Sequence, residues 1–423
     1  MIKRTLWIFI ILFSVKAQAQ FKPDVIVIGG SAAGTAAAIQ AARSGVKTLL
    51  IAPSDNLISD VAPSMNIPAF DLGLWKEWRD QFIKASDSVK TTPQLVLENI
   101  VKKTKNLSFL KATPILGIEQ KKNGWEVKVN INGKQEDIKC KVLVDATTNS
   151  ANSVLAQFNI LSLDKNGKFE NLVAYTKIQQ DNPYNQLQKL YRTSGAAGFG
   201  KDSVAHFIPL GVFIPKEKDN LLIVSTSAFK DFEITDFKNI ALWTNMGQAV
   251  GALAAFGPFF DTTPSKANIR LTQGEMFTYK SFLYPVKDVA VTDSAFYPIQ
   301  KIIASGILKF DFKTGFFNIK EPVKISDFKE LMSTLYARSK IWFIENKASD
   351  MTIKNTISLF SFISGRDPIS IQQEIEKDWK EKYGFASSYS ENEIINKKEF
   401  AVLMDKYITP FNINVDFNGY YIK

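Results

Sequence analysis

Two kinds of hydrophobic periodicity divide the 423-residue chain. Val25–Ile28 is an unbroken apolar run that ends at Gly29-Gly30-Ser31-Ala32-Ala33-Gly34. Alanines then dominate as far as Arg43, and a second apolar run follows at Thr48–Ile51. Apolar runs bounded by small residues fit strands buried on both faces, so this stretch reads as strand, turn, helix and parallel strand. Residues 93–101 carry helical spacing, and Leu107–Leu110 reads as another strand. Residues 115–120, 125–131 and 138–144 alternate apolar with polar positions around Asn123-Gly124 and Asn132-Gly133, both strong hairpin turns. The pattern predicts a three-stranded meander feeding a strand at 141–147.

Residues 54–90 show little period, with Pro63, Pro68, Trp75 and Trp78, and predict an irregular stretch. Residues 151–219 read as an inserted β-rich domain with a strand at 205–208. Buried-strand character returns at 220–224, and 246–255 is a helix of small residues. The expected organisation is an α/β nucleotide-binding domain in two parts, 22–150 and 220–260, followed by a mainly helical region over 261–423. In that region Ile325-Ser326-Asp327-Phe328 echoes Ile395-Asn396 before Glu399-Phe400, and Asn396 with Glu399 has capping-box spacing. We read the echo as part of one helical module, not an array.

The 29–34 turn carries the clearest chemistry. A diphosphate needs bare backbone N–H groups and a helix N-terminus, with no side chain in the way. Gly29 suits the tight turn and Gly34 the close helix–strand approach. Gly30, Ser31 and Ala33 fill the remaining places, with Ser31 where the dinucleotide fingerprint has its second glycine. An unliganded βαβ unit is the plainer alternative.

Composition narrows the rest. Lys3 and Arg4 precede an apolar run from Leu6 to Val15 and the small residues Ala17-Gln18-Ala19, which predicts a secretory signal peptide over 1–19 cleaved before Gln20. The destination is periplasmic or extracellular, with no integral membrane segment in the mature chain. Cys140 is the only cysteine, so no intramolecular disulfide forms. The net charge of +10 is spread without a basic stripe, so no nucleic-acid partner is expected. His206 is the only histidine and the one candidate for imidazole proton transfer, although a lone strand histidine is more often structural. One His and one Cys predict no metal site. Asp288 and Asp293 read as caps at a helix start.

Over about 22–310 the chain resembles the secreted FAD-dependent oxidoreductases that include xanthan lyase-like proteins. The resemblance rests on four segments in order. They are the 29–34 turn; Val144-Asp145-Ala146-Thr147; the run from Ile208-Pro209 through 220–224 to Gly247-Gln248-Ala249-Val250-Gly251; and Leu283-Tyr284-Pro285 through Gly306-Ile307-Leu308. It implies a glutathione-reductase-like FAD/NAD(P)-binding Rossmann-type fold with an inserted β-rich domain and a C-terminal helical region. It also implies FAD as cofactor and a small-molecule or carbohydrate substrate. Gly29, Gly30, Ser31, Ala33, Gly34, Asp145, Ala146, Thr147, Gly247, Gln248 and Gly251 become the cofactor-binding candidates. Gly247, Gln248 and Gly251 are placed at a helix N-terminus near the flavin ring.

The chain also departs from that family. Ala52 stands where an acidic residue accepts the adenosine ribose hydroxyls. Ile58 and Ser59 replace a glycine pair, and Thr148 replaces the glycine after Asp-Ala-Thr. These four positions bear on whether FAD is retained. They leave open a non-catalytic descendant serving as a binding or structural module in the envelope. A nicotinamide enzyme is disfavoured, because Ala52 reads neither ribose nor its phosphate. If the ribose lies by position 52, Ala52→Glu should tighten FAD binding.

Overall fold

The computed structural model describes residues 22–58, 70–87, 90–147, 184, 189–199, 204–216, 218–225 and 239–422. The predicted leader, Ser59 and Thr148 lie outside the described residues. The chain opens with β1 (Val25–Ile28), α1 (Ala32–Arg43) and β2 (Thr48–Ile51), then α2 (Gly73–Ser86), α3 (Pro93–Lys103) and β3 (Leu107–Leu110). A meander of β4 (Ile115–Lys121), β5 (Gly124–Ile131) and β6 (Lys134–Cys140) leads into β7 (Val142–Asp145). An antiparallel pair, β8 (Ser194–Phe199) and β9 (Ala205–Pro209), precedes β10 (Leu221–Ile223) and the long helix α4 (Ile240–Phe259).

The parallel sheet has the order β10-β7-β1-β2-β3. Every strand there except the edge strand β3 is buried along its length, which is why those runs are apolar without interruption. Side chains still alternate between two cores. Val25, Val27, Leu50, Val142 and Val144 face the helices. Ile26, Ile28, Leu49, Ile51 and Leu143 face the meander residues Ile118, Trp125, Val127 and Val129. The five-stranded parallel sheet between helices and a three-stranded antiparallel sheet is the FAD/NAD(P)-binding Rossmann-type architecture. At the second hairpin Asn132 (φ 52°) and Gly133 (φ 84°) both adopt the left-handed region, as a type I′ turn requires.

Helix α2 occupies part of the stretch expected to be irregular. Its N-cap residue, Leu72, offers no side-chain acceptor; instead the Leu74 N–H donates to Gln248 Oε1 of α4 at 2.9 Å. A start capped from 174 positions away leaves no local signal.

Beyond α4 come α5 (Ile269–Thr278), α6 (Phe296–Ser305), α7 (Lys329–Leu335), α8 (Ala337–Glu345), α9 (Ile353–Ser364), α10 (Pro368–Asp378) and α11 (Lys397–Tyr407). The echo between the segments around 325 and 395 is two-thirds of a threefold arrangement. Val323 N–H donates to Ile395 O (3.0 Å), Ile395 N–H to Met351 O (2.9 Å) and Met351 N–H to Val323 O (2.9 Å), closing a ring of three extended segments. Each segment is preceded by one helix (α6, α8, α10) and followed by another (α7, α9, α11). The middle copy escaped the sequence reading because Met351-Thr352-Ile353 shares only its N-cap chemistry, Thr352 Oγ1 accepting from Asn355. Asn396 and Glu399 form the expected capping box. We expect Asn396→Ala to cost about 1 kcal/mol in a thermal or urea melt.

Asp293 does not cap α6, whose N-cap Ala295 has no side-chain cap bond; its carboxylate instead accepts the Ala295 N–H at 2.9 Å in an Asx turn just ahead of the helix. Asp288 does something else. Its oxygens accept the backbone N–H groups of Phe317 (2.9 Å), Asn318 (2.7 Å) and Ile319 (3.1 Å), pinning a later loop. Among the described residues no helix is long and apolar enough to cross a membrane.

Candidate functional site

The first turn of α1 sits against the C-terminal ends of β1, β2 and β7. Gly29 has φ 119°, and a Cβ there would lie 2.4 Å from Ala146 O. A Cβ on Gly34 would lie 2.4 Å from Gly29 O and 2.7 Å from Ala146 Cβ. Both positions therefore need glycine, one for conformation and close approach, the other for helix–strand packing. Ser31 is the N-cap, its Oγ accepting the Gly34 N–H at 2.9 Å, and its carbonyl accepts from Thr35. Among the described residues the Ala33 N–H has no hydrogen-bond partner, in a residue with no exposed surface. A buried helix-terminal donor of this kind suits an anionic oxygen. The turn thus fits the diphosphate of a dinucleotide, with Ala33 as donor and Ser31 holding the helix end open.

Asp145, at the end of β7, is buried, and its Oδ1 accepts both the Thr147 N–H (3.0 Å) and the Thr147 hydroxyl (2.7 Å). This Asx turn shapes the backbone of Ala146 and Thr147, which passes over Gly29. The structure therefore brings Gly29, Gly30, Ser31, Ala33, Gly34, Asp145, Ala146 and Thr147 to one place.

Gly247, Gln248 and Gly251 are placed differently from the expectation. Helix α4 starts at Ile240, so these residues lie in its interior and not at its N-terminus. A Cβ on Gly247 would sit 2.2 Å from Ala33 O, and one on Gly251 2.4 Å from Ala37 O. The glycines let α4 press against α1. Gln248 is buried, accepting from Leu74 and donating to Gln40 Oε1 at 3.1 Å. The residues around 247 thus shape the site from behind, by fixing where α1 begins.

The segment after β2 was read as a departure, and the structure shows its form. Ala52 has no exposed surface; its N–H donates to Leu110 O and its carbonyl accepts from Thr113. The Ala52 methyl lies 3.1 Å from where a Gly30 Cβ would be, and Asn56 O only 2.0 Å from it. A glutamate at 52 therefore has no open space to enter. The expected gain in FAD affinity gives way to an expected loss of stability for Ala52→Glu, measured by melting. Leu57 and Ile58 are buried rather than projecting into solvent. Thr35 Oγ1 donates to Leu57 O (2.8 Å), the Leu57 N–H donates to Gln94 Oε1 (3.1 Å), and the Ile58 N–H to Asn56 Oδ1 (3.0 Å). Thr35 and Gln94 carried no motif signal, since single polar residues on helices are common; only their distant partners give them meaning.

Gln94 also donates to Glu98 (3.0 Å), which accepts from Lys111 at 2.8 Å. Burial pushes the Glu98 carboxyl up, but hydrogen bonds from Lys111 and Gln94, with the Lys111 and Lys102 charges, outweigh it and hold the group below its ordinary value. Its folded pKa is below the unfolded one, so its stabilisation is present above the ordinary glutamate range and is lost as pH falls through the folded value. Glu98→Gln should accordingly flatten the acid limb of a stability–pH curve.

His206 is buried on β9 in register with Gly198 of β8, on a different sheet from the 29–34 turn. The Cys140 thiol is buried, and burial pushes its pKa up, which disfavours the thiolate form.

Fold and turn together define a protein of the FAD/NAD(P)-binding Rossmann-type class. The family model for FAD dependent oxidoreductase matches residues 24–57, from the start of β1 to the closing segment after β2. No curated protein matches the chain. Among solved structures, it is similar to p-nitrophenol 4-monooxygenase PnpA from Pseudomonas putida DLL-E4 at 13% identity and TM-score 0.25, over 34% of this chain and 45% of that one. Thioredoxin reductase from T. acidophilum aligns at 18% identity and TM-score 0.21, over 30% of this chain and 36% of that one. The flavin-dependent monooxygenase PieE, solved with FAD and substrate, aligns at 15% identity and TM-score 0.26, over 34% and 33%. The chain thus spans less than half the length of each of these proteins.

Proposed function

We propose that this chain is an exported FAD-dependent oxidoreductase of the xanthan lyase-like kind, acting on a small-molecule or carbohydrate substrate. The observation that carries the reading is the β1–turn–α1 cradle, closed by two obligatory glycines and holding the unpartnered Ala33 N–H, within the stretch that matches the FAD dependent oxidoreductase family. In this reading Gly29, Gly30, Ser31, Ala33 and Gly34 receive the diphosphate, and Asp145 holds Ala146 and Thr147 beside it. FAD, when bound, supplies the electron-transfer chemistry. The protein's own part is to orient the cofactor through the α1 N-terminus and to keep water from it with the buried Leu57 and Ile58. His206 is the imidazole available for proton transfer, which a His206→Gln variant tests through the pH profile of turnover.

The deciding experiment is the absorbance spectrum of the purified mature protein, alone and after addition of FAD. A flavin spectrum, native or acquired, supports the reading. A colourless protein that also fails to bind added FAD overturns it. That second outcome is what the non-catalytic alternative expects, and the observation favouring it is that the Leu57 and Ile58 N–H groups are already spent on Gln94 and Asn56. Export is tested separately: a mature N-terminus at Gln20 is expected, and an intact Met1 on a cytoplasmic protein overturns it.

A further inference from the structure

We propose that Asp55, and not the strand-end residue, is the group that accepts the adenosine ribose hydroxyls; this rests on the FAD reading above. An adenosine ribose beside the C-terminal end of the second strand is held by a carboxylate there. Ala52 is apolar, without exposed surface, and both its backbone groups are spent on the 110–113 stretch. The chain then turns outward through Pro53, Ser54, Asp55 and Asn56, all exposed, before burying Leu57. Within that turn the polar side chains are committed to the backbone, with one exception. Ser54 Oγ accepts the Asn56 N–H at 3.3 Å, and Asn56 Oδ1 accepts the Ile58 N–H at 3.0 Å. The exception is Asp55, whose side chain is 82% exposed and, among the described residues, has Lys111 Nζ as its ion-pair neighbour at 3.9 Å.

The turn is also in the right place. Asn56 O approaches within 2.0 Å of the Gly30 Cβ position, so Asp55 is one residue from direct contact with the diphosphate cradle. The other carboxylate nearby, Glu98, is buried and already engaged by Lys111 at 2.8 Å and Gln94 at 3.0 Å. A vicinal diol offers two O–H donors, and an uncommitted carboxylate is the acceptor that takes both. Lys111 steadies Asp55 without neutralising it, because its closest contact is to Glu98.

The test measures binding of FAD, ADP and 2′-deoxy-ADP by calorimetry to the wild type and to Asp55→Ala and Asp55→Asn. Asp55 lies on an exposed turn, so both variants should melt with the wild type. The wild type should prefer ADP to 2′-deoxy-ADP, and both variants should weaken FAD and ADP about tenfold and 2′-deoxy-ADP, which keeps only the 3′-hydroxyl, by less, so that the preference shrinks. Variants that keep the wild-type preference for ADP overturn the assignment, as does a wild type that binds FAD without any such preference. A wild type that binds neither FAD nor ADP overturns the FAD reading itself, and the assignment with it.

Discussion

Replacing Gly247 with leucine should lower the melting temperature by about 6–12 °C or prevent folding, and should remove dinucleotide binding along with it. The position lies in the interior of α4, where a Cβ would stand 2.2 Å from Ala33 O and 2.7 Å from Ala36 Cβ. Both contacts are on α1, and Ala33 O is backbone, which has no rotamer to give. The helices must separate by more than a methyl radius, an overpacking that costs about 3 kcal/mol or more. At about 2–4 °C per kcal/mol for a domain of this size, the shift follows. The site shares the damage because Ala33 is also the residue whose N–H faces the proposed diphosphate. A control separates this from any general intolerance of α-helical glycines. Gly274 lies in α5 with nothing within 4 Å of its Cβ position. Gly274→Ala should therefore stabilise by about 0.5–1 kcal/mol through helix propensity alone. If Gly247→Leu melts with the wild type, the close packing of α1 on α4 is wrong, and so is the account of these glycines as packing residues.

That correction shows what the sequence could carry. Local signals are legible in the sequence. The apolar runs of the sheet, the Asn-Gly hairpins, the fingerprint turn and the Asn396 capping box all depend on neighbours within a few positions. Glycines in a helix are ambiguous in the same way, since a bare backbone serves a ligand or a packed helix equally. Only the register of α1 against α4 distinguishes the two. The α2 start and the Leu57 clamp were illegible for the same reason, their partners being Gln248 and Thr35 or Gln94 at long sequence separation. The threefold ring at 322–325, 350–352 and 394–396 is legible in two of its three segments. Its bonds are between backbone groups, which leave no trace in side-chain identity.

Replacing Arg270 with methionine should cost about 3–5 kcal/mol, the scale set by leaving buried partners of a charged group unsatisfied. Arg270 is buried on α5 and makes four hydrogen bonds. Its Nη1 donates to Arg192 O (2.9 Å) and Gln273 Oε1 (2.7 Å), its Nη2 to Ala304 O (2.9 Å) and its Nε to Ile413 O (3.3 Å). The guanidinium also lies over the Phe411 ring, 4.9 Å from its centre. These backbone acceptors belong to the segment before β8, the end of α6 and the C-terminal tail, so one fork ties the helical region and its tail to the segment that leads into β8. Arg192 does the same in parallel, donating to Gly419 O at 3.1 Å with its guanidinium 4.5 Å from the Tyr421 ring centre. Tyr421 in turn donates its hydroxyl to Ser305 O, and the Lys189 N–H donates to Asn418 O at 2.8 Å. With Arg270 gone, the tail from Ile413 onward loses its bond to α5 and keeps the Arg192, Lys189 and Tyr421 contacts further along. Limited proteolysis should then release the tail well before the core unfolds. Lysine keeps the charge but lacks the planar fork, and its single ammonium cannot reach three carbonyls lying in different directions. Arg270→Lys should recover only part of the loss. A lysine variant as stable and as protease-resistant as the wild type would mean that charge alone, and not the fork, holds the two regions together.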